Sequence, residues 1–404
     1  MRAPLPAGST RSNAVSRERI VIVGGGPAAL ATVRAYRSAG GSGDVVILSE
    51  EGCPPYRRPP LSKEYLRGEL AANELPIEPP RFFADRSIEL RQAKVIALDA
   101  VQRVVETAAG ERVCYDHCVV ATGSRPSRLP VPGSQAPGVC TLRSLADADE
   151  LCRRVHAGTR AVVVGSGFIG CEAAASLSAR GLEVMLVTDE ALPQAGRLGG
   201  EVGERITAWL RDGGVSLRLG APVERIVQHS GGLTVSDQLG QETTADVVLM
   251  AVGVSPRVEL AEDAGIELAE EGAIATDAAL RTADERVWAA GDVACAEHPR
   301  AGRRLRVEHW GEALNHGAVV GGRLAGVQRC WDAAPGFWST IASRTLKYVA
   351  WGDGFDELDF IDHGEGAFTV RYGLDGILVG VLTHDRDEDY ERGQQQVAAG
   401  AAFK

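Results

Sequence analysis

Two glycine-rich stretches have the residue types and spacing that bind the pyrophosphate of a dinucleotide. In the first, the β-branched run 20–23 leads into three consecutive glycines, and a helical pattern follows at 28–36. Gly24 can adopt the positive φ that the turn requires, and Gly26 lets a phosphate approach bare backbone at a helix N-terminus. Ala29 replaces the third glycine of the fingerprint and is still small enough for close packing. The pattern predicts a dinucleotide-binding βαβ unit.

A second stretch repeats this pattern later in the chain. The apolar run 161–164 leads into Gly165, Gly167 and Gly170, so all three glycines of the fingerprint are present. A helical pattern continues to about Arg180, and another apolar strand follows it. Because one chance turn cannot account for two complete βαβ patterns, the sequence predicts two bound nucleotides.

An acidic residue follows the second strand of each pattern. The strand predicted at 45–48 is followed by Glu50, and the corresponding strand at 183–187 is followed by Asp189. A carboxylate in this position accepts a hydrogen bond from a ribose hydroxyl and repels a 2′-phosphate. The nearest following arginine, Arg197, is eight residues beyond Asp189. The second site is therefore expected to prefer NADH to NADPH.

Further apolar strands frame these patterns. Single strands are predicted at 113–121 and 245–254, and the Gly and Pro residues after each mark a crossing between domains. Another strand ends in Asp292, which could cap a following helix or bind a cofactor hydroxyl. The proline-rich stretch 54–63 predicts a fixed, extended loop, with a surface linker as the alternative. From Gln328 onwards, clustered aromatic residues and alternating stretches predict a small α+β domain with antiparallel strands.

Length and composition limit the class of protein. The 404 residues suffice for two or three domains. A net charge of −11 argues against nucleic acid or an anionic membrane as the main partner, and the apolar runs are too short to span a bilayer. Residues 1–17 lack the apolar core of a secretory signal and predict a disordered leader. The eight scattered cysteines, without C-x-x-C pairs or histidines at metal spacing, predict a reducing cytoplasm and no metal site.

Taken together, the motifs resemble a known family. In chain order they read GGGPAA, PPYRRPPLSK, ATGSRP, GSGFIGCE, AAGDVA, VEHW and FWS. The chain resembles the two-dinucleotide flavoprotein reductases, and among them the FAD-dependent NAD(P)H:ferredoxin reductases of oxygenase systems, the putidaredoxin and rubredoxin reductase type. The resemblance extends from Arg19 to about Ala398.

The resemblance implies a domain organisation. An α/β fold is expected, with two Rossmann-like dinucleotide-binding domains of which the FAD domain is interrupted by the NAD domain. The FAD-binding domain would comprise residues 18–128 and 256–327, and the NAD(P)H-binding domain residues 129–255. Residues 328–404 would form a C-terminal interface-like α+β domain that covers the flavin.

The resemblance also assigns residues to catalysis and to the two cofactors. Lys63 is expected beside the flavin ring, Glu172 is expected to pair with that lysine, and Trp310 is expected to flank the isoalloxazine. The residues expected to bind FAD are Gly24, Gly26, Ala29, Glu50, Arg58, Lys63, Ala121, Thr122, Gly123, Asp292 and Trp310. Those expected to bind NAD are Gly165, Gly167, Gly170, Glu172, Asp189 and Gly253. Gly311 and Thr340 depart from the acidic or amide residues that are usual in the family.

The implied activity is electron transfer from NADH through FAD to a small, acidic iron–sulfur protein. This ferredoxin would serve an oxygenase such as a cytochrome P450 or a Rieske oxygenase, and the reductase itself would be a monomer or weak homodimer. The resemblance places a basic loop beside the flavin edge, where it would dock the ferredoxin. A solvated hairpin tip without a role is the alternative. The arginines of this loop are Arg300, Arg303, Arg304 and Arg306.

Two other functions fit the same fold. The first is a disulfide, persulfide or peroxide reductase, or an NADH oxidase, and this reductase chemistry needs a redox cysteine at the flavin. The first unit has no paired cysteines, and Leu61, Ser62 and Lys63 stand where the peroxidase type has its single cysteine. The second is an FAD-binding signalling protein without enzymatic activity, against which the two intact fingerprints argue.

Overall fold

The computed structural model describes residues 18–404, and the leader predicted at 1–17 lies outside the described residues. The chain forms a first nucleotide-binding unit, a second unit inserted into the first, and a C-terminal unit. Within residues 18–404, no helix combines the length and the apolar character needed to cross a bilayer.

The first two segments contain most of both nucleotide-binding units. The elements of the first segment are β1 (Arg19–Val23), α1 (Pro27–Ser38), β2 (Asp44–Ser49), α2 (Glu64–Arg67), α3 (Arg81–Asp85), β3 (Ile88–Gln92), β4 (Val95–Asp99), β5 (Val104–Thr107), β6 (Arg112–Cys114), β7 (His117–Val120) and β8 (Ser124–Pro126). Those of the inserted segment are β9 (Val139–Cys140), α4 (Leu145–Arg154), β10 (Arg160–Val164), α5 (Phe168–Ala179), β11 (Glu183–Val187), α6 (Ala195–Leu198), α7 (Gly200–Asp212), β12 (Ser216–Arg218), β13 (Val223–His229), β14 (Gly232–Asp237), β15 (Glu242–Ala245), β16 (Val247–Met250) and β17 (Val254–Pro256).

The chain then returns to the first unit before it forms the C-terminal unit. The returning elements are α8 (Glu259–Asp263), β18 (Ile274–Thr276), β19 (Val287–Ala289), β20 (Ala294–His298), β21 (Arg303–Arg306) and α9 (Trp310–Leu324). Those of the C-terminal unit are β22 (Gly336–Ile341), β23 (Arg344–Ala350), β24 (Glu357–Gly364), β25 (Ala367–Leu374), β26 (Ile377–His384) and α10 (Asp387–Ala398).

A parallel five-stranded sheet forms the centre of the first unit. Its strand order is β19-β7-β1-β2-β3, and the strands are apolar and β-branched because both faces of a parallel sheet are covered. Strand β19 pairs with β7 in the register Val287↔Cys118, although the whole second unit separates them in the chain. The predicted interruption of the first domain by the second is therefore confirmed.

The second unit repeats this architecture. Its parallel sheet has the order β12-β11-β10-β16-β9, and an antiparallel sheet of β13, β14 and β15 accompanies it. The two crossings between the units, β8 and β17, pair antiparallel with Ser124 opposite Pro256. The chain thus leaves and re-enters the first unit at one place, which brings both glycine turns to the same side of the molecule.

Two strands predicted as single are each divided. The stretch 113–121 contributes β6 to an antiparallel sheet and β7 to the parallel one, because the chain turns at Asp116. The Asp116 N–H donates to Arg19 O, and the Asp116 carboxylate accepts from the Arg19 N–H. The stretch 245–254 is divided between β15, β16 and β17, and Gly253 turns the chain with a φ of +100°. Alternation of apolar residues does not mark such changes of sheet.

The proline-rich loop at 54–63 is extended only in its first half. Tyr56 forms an isolated antiparallel bridge with Pro76, but residues Pro59–Ser62 form a 3₁₀ helix. The prediction of an extended loop is wrong there because proline fixes φ near the value of a first helical turn. A second short 3₁₀ helix follows at Ala72–Glu74.

The C-terminal unit is an antiparallel sheet covered by α10, as the alternating pattern predicts. Its strand order is β22-β23-β26-β25-β24. The face opposite α10 packs on the second unit, where Phe368 stacks on Trp209 at 6.3 Å between ring centroids. The Tyr372 hydroxyl donates to Leu198 O at 2.9 Å across the same contact. This packing holds the edge strand β22 against α5, where Phe337 contacts Phe168 with 4.8 Å between ring centroids.

Candidate functional site

A cleft of about 1460 Å³ lies where the three units meet. Pockets for one small ligand usually measure about 300–1,000 Å³, so the cleft is large enough for more than one nucleotide moiety. It is lined by the first glycine turn, the proline-rich loop, the start of α5, and strand β22. All residues that the sequence assigns to FAD line it except Ala29, which is buried in α1.

The first glycine turn has the geometry of a phosphate cradle. Gly24 has a φ of +119°, and a Cβ there would lie 2.1 Å from Ala121 O, so only glycine fits. A Cβ on Gly26 would meet nothing within 4 Å, which leaves open space at the N-terminus of α1. Gly26 caps this helix without a side-chain hydrogen bond, so its first N–H groups are available to a phosphate. The residues present therefore fit the pyrophosphate of FAD.

Replacing Gly26 by alanine should weaken FAD binding by about tenfold and leave the stability of the FAD-free protein unchanged. The added methyl group meets no protein atom, but it occupies the space through which a pyrophosphate approaches the backbone. Fluorescence titration of the FAD-free protein with FAD, together with its thermal melt, measures both quantities. Gly200→Ala is the matched control, because that glycine is also unhindered and lies outside the cleft. Equal FAD affinities in the two variants would contradict this role for Gly26.

The second glycine turn is built in the same way. Gly165 has a φ of +101°, and a Cβ on it would lie 2.5 Å from Ala251 O. A Cβ on Gly170 would lie 2.2 Å from Gly165 O, so this glycine permits close packing of α5 on the turn. Gly167 caps α5 without a side-chain bond and, like Gly253, lines the cleft. The free N-terminus of α5 fits a second pyrophosphate.

The two acidic residues predicted to bind ribose differ in their surroundings. Glu50 lines the cleft, with Lys94 Nζ and Arg257 Nη1 each 3.2 Å from its carboxylate oxygens. Asp189 is exposed and lies outside the residues that line the cleft. The neighbouring Glu190 turns back towards the second glycine turn instead. The structure thus brings Glu50, but not Asp189, into the cleft.

Asp292 lies buried at the centre of the cleft. It precedes strand β20, so the alternative role of a helix cap is wrong. Its Oδ2 accepts from Ser124 Oγ at 2.7 Å and from the Arg143 guanidinium. Neither Arg143 nor its contact with Asp292 was found from the sequence, because 149 residues separate the two and no motif surrounds the arginine. Arg143 adds a positive charge beside the phosphate cradle.

Lys63 and Glu172 form the ion pair that the motifs predict. Lys63 Nζ lies 2.8 Å from Glu172 Oε2, and both side chains are buried. The same Oε2 accepts from Ser62 Oγ at 2.5 Å, while Oε1 accepts from Ser339 Oγ at 2.8 Å and from Thr340 N at 3.2 Å. One carboxylate of α5 therefore contacts the proline-rich loop and strand β22, and so links the three different units.

Comparison with known proteins decides the family. Residues 18–317 match the family model described as pyridine nucleotide-disulphide oxidoreductase. The chain belongs to this family. Its members use FAD and NAD(P)H, so the two predicted cofactors are confirmed.

The relatives of this oxidoreductase include electron-transfer reductases of similar length. It is 32% identical over 378 residues to the rhodocoxin reductase of Rhodococcus erythropolis, covering 92% of this chain and 87% of the relative. It is 32% identical over 397 residues to a ferredoxin–NAD(P)(+) reductase of a Sphingomonas species, covering 95% and 94%. The structure of the ferredoxin reductase for the CYP199A2 system from Rhodopseudomonas palustris superimposes with a TM-score of 0.91 at 31% identity, and 95% of each chain is covered.

Aromatic and basic groups complete the cleft of this oxidoreductase. Trp310, which is expected to flank the isoalloxazine, lines it at the start of α9. The preceding His309 packs on Phe337 with 4.3 Å between ring centroids. Burial, and then the charge of Arg197, lowers the pKa of His309 to about 4, so this ring is neutral at pH 7. Arg58 also lines the cleft, bound to Glu51 and donating to Arg143 O at 2.9 Å.

The basic loop is the hairpin of β20 and β21, and its arginines are paired with acids. Arg303 binds Asp353, and the others lie within ion-pair distance of a carboxylate. These further pairs are Arg300 with Asp332 at 3.9 Å, Arg304 with Glu297 at 3.3 Å and Arg306 with Glu308 at 3.0 Å. Of the four arginines only Arg306 lines the cleft. His298, which belongs to the same hairpin, is buried against the Trp331 ring and does not lie at a solvated tip.

None of the eight cysteines lines the cleft, and all eight, which lie in the described part of the chain, are free thiols. Cys171, next to Glu172, is fully buried, and burial raises its pKa. Burial also raises the pKa of Cys53, the cysteine nearest in sequence to the proline-rich loop. Since a reactive cysteine needs an exposed thiolate of low pKa, these residues do not provide a redox thiol.

Proposed function

We propose that this oxidoreductase passes electrons from NADH through FAD to a small, acidic iron–sulfur protein that serves an oxygenase. The observation that carries the proposal is the buried Lys63–Glu172 pair in a cleft without any cysteine. Bound FAD supplies the chemistry, because it accepts a hydride and releases electrons one at a time. The electrons must therefore leave for an external acceptor rather than for a thiol of this chain.

The chain's own residues bind and orient the two nucleotides. The N-terminus of α1 holds the FAD pyrophosphate, with Glu50 on the ribose and Asp292 on the ribityl hydroxyls. The N-terminus of α5 holds the pyrophosphate of the nicotinamide nucleotide. Lys63 adds a positive charge to the cleft, and Glu172 fixes its position. Trp310, the neutral His309 and Phe337 form an aromatic part of the cleft lining.

One assay separates this function from its alternatives. Anaerobic NADH consumption is measured with the FAD-loaded protein and equal concentrations of a ferredoxin or a persulfide, and consumption with oxygen is measured in parallel. Ferricyanide serves as a small acceptor that reports on flavin reduction alone. We expect the highest turnover with the ferredoxin. A faster reaction with the persulfide or with oxygen would overturn the proposal, and no reaction with any acceptor would favour the signalling protein.

We expect NADH to be preferred to NADPH by about tenfold in kcat/KM. Two acidic residues, Asp189 and Glu190, follow strand β11 at the second glycine turn, and the nearest following arginine is Arg197. Negative charge there repels a 2′-phosphate. Side-by-side steady-state assays with ferricyanide measure the two constants, and a larger kcat/KM for NADPH would contradict this preference.

We propose the hairpin of β20 and β21 as the docking site of the partner. Three of its arginines are exposed and Arg304 is partly exposed, and Arg306 lines the cleft itself. Their ion pairs with Asp353 and Glu297 reduce the local field. Charge steering of an acidic partner is therefore expected to be moderate rather than dominant.

The double variant Arg303→Glu/Arg304→Glu should lower kcat/KM for a ferredoxin by about three- to tenfold at low salt and flatten its salt dependence. Activity with ferricyanide should stay near that of the wild type, because a small acceptor needs no docking surface. The matched control is Arg153→Glu/Arg154→Glu, which reverses two exposed arginines on α4 that also pair with an acid. Equal losses with both acceptors would indicate damage to the flavin site, and an unchanged ferredoxin rate would exclude this hairpin.

We also propose a cellular location and an assembly state for this oxidoreductase. Eight free cysteines suit a reducing cytoplasm, where thiols persist. A monomer or a weak homodimer suffices, since the cleft is built from the three units of one chain. Sedimentation of the FAD-loaded protein at micromolar concentration measures the assembly state.

A further inference from the structure

The end of strand β11 carries two acidic residues, and only one faces the second glycine turn. The Glu190 carboxylate accepts hydrogen bonds from the Ser166 hydroxyl and, at 3.1 Å, from the Gln194 backbone N–H. The Asp189 carboxylate is exposed, and its one hydrogen bond within residues 18–404 comes from its neighbour Thr188 at 3.5 Å. Glu190 is therefore held at the turn, whereas Asp189 projects into solvent.

A closed polar network fixes the position of Glu190. Thr188, which is buried, lies 2.8 Å from Ser166 Oγ and accepts the backbone N–H of Glu190 at 3.2 Å. The Gln194 side chain donates to Ser166 O at 3.0 Å and so holds the turn itself. These contacts tie the backbone and the side chain of Glu190 to the serine between Gly165 and Gly167.

The contacts use only one of the two carboxylate oxygens. Both hydrogen bonds of the Glu190 side chain go to Oε2, and Oε1 accepts none from the described part of the chain. Within residues 18–404 no lysine, arginine or histidine forms an ion pair with this carboxylate. Glu190 thus presents a fixed negative charge and a free acceptor oxygen at the turn.

We propose that Glu190, and not Asp189, is the residue that distinguishes NADH from NADPH in this oxidoreductase. The inference rests on the proposed function. A carboxylate after the second strand of a dinucleotide unit accepts from the 2′-hydroxyl of the adenosine ribose. Because no cation of residues 18–404 pairs with Glu190, a 2′-phosphate in the same place meets a like charge that no ion pair compensates. The exposed Asp189 is screened by water and contributes little.

Binding of two fragments tests the proposal without any turnover. ADP-ribose and 2′-phospho-ADP-ribose differ only at the 2′ position, and neither can reduce the flavin. Isothermal titration calorimetry on the FAD-loaded protein gives their two dissociation constants. The wild type should bind ADP-ribose at least about tenfold more tightly than 2′-phospho-ADP-ribose.

Two variants identify the residue responsible. Glu190→Gln keeps the shape and an acceptor oxygen but removes the charge, so the preference should fall below about threefold, chiefly through tighter binding of 2′-phospho-ADP-ribose. Asp189→Asn is the matched control and should leave the preference within about twofold of the wild type. Thermal melts check folding, and Glu190→Ser replaces the glutamine variant if that one unfolds.

The outcomes separate this inference from the proposed function. An unchanged preference for ADP-ribose in the Glu190 variant would overturn only the assignment of Glu190 and not the proposed function. An equal loss of that preference in Asp189→Asn would do the same. A wild-type protein that binds neither fragment would overturn the nicotinamide site itself, and the inference with it. A wild type that favours 2′-phospho-ADP-ribose would overturn the direction of the preference.

Discussion

Replacing Lys63 by alanine should slow the reduction of bound FAD by NADH by about 10- to 100-fold, while the protein retains its FAD. Negative charge accumulates on the ring system that accepts a hydride, and a fixed ammonium group in a buried site stabilises such charge more than water does. Lys63 is buried in the cleft, and its ammonium group is held 2.8 Å from Glu172. The FAD pyrophosphate would bind elsewhere, at the N-terminus of α1.

Anaerobic stopped-flow measurement of flavin absorbance gives the rate, and the ratio of flavin to protein gives the occupancy. Lys347→Ala is the matched control, since it removes another ion-paired lysine that lies outside the cleft. A wild-type rate of flavin reduction in Lys63→Ala would exclude this role. A rate lost in proportion to FAD occupancy would show that Lys63 only binds the cofactor.

Replacing Glu172 by alanine should lower the free energy of unfolding by about 3–5 kcal/mol, which is the usual cost of removing one partner from a buried ion pair. Without Glu172, the buried Lys63 ammonium group retains, among residues 18–404, only Ser62 Oγ at 3.4 Å as a hydrogen-bond partner. Ser339 Oγ and Thr340 N lose their acceptor as well. The contact between the C-terminal sheet and the two nucleotide-binding units should therefore loosen together with the pair.

The two members of the pair should differ in their effect on stability. In Lys63→Ala the Glu172 carboxylate keeps three donors, so that variant should lose only about 1–2 kcal/mol. Urea unfolding followed by far-UV circular dichroism measures both variants. Asp387→Ala, which breaks the exposed pair with Lys347, is the control and should cost less than about 1 kcal/mol. Equal losses for Lys63→Ala and Glu172→Ala would show that the hydrogen bonds to Ser339 and Thr340 contribute little.

Glu172 also connects Lys63 with strand β22 of the C-terminal unit. Ser339 follows Trp338, whose ring is half exposed, and precedes Thr340 in the same strand. Side chains alternate along β22, so Ser339 faces Glu172 while the half-exposed ring of Trp338 lines the cleft.

The amino-acid sequence by itself determined the local features. Three glycines after a β-branched strand specify a turn with a positive φ at Gly24 and an open helix N-terminus at Gly26, and the structure has both. The same holds for the turn at Gly165. The turn conformation depends on residues within a few positions of each other, so a local pattern predicts it. The close approach of Ala121 O to Gly24 comes from a distant strand and was not predicted. The order of the motifs also indicated the family, and the resemblance implied the pairing of Lys63 with Glu172.

The tertiary structure alone decided which distant groups meet. Arg143 reaches Asp292 across 149 residues, and Ser339 reaches Glu172 across 167. Glu190, rather than its neighbour Asp189, turns towards Ser166 because a buried threonine and a glutamine fix the chain there. Such contacts depend on how whole sheets and helices pack. A pattern of period two or 3.6 fixes which face of an element is buried, but not which side chain of another unit lies opposite.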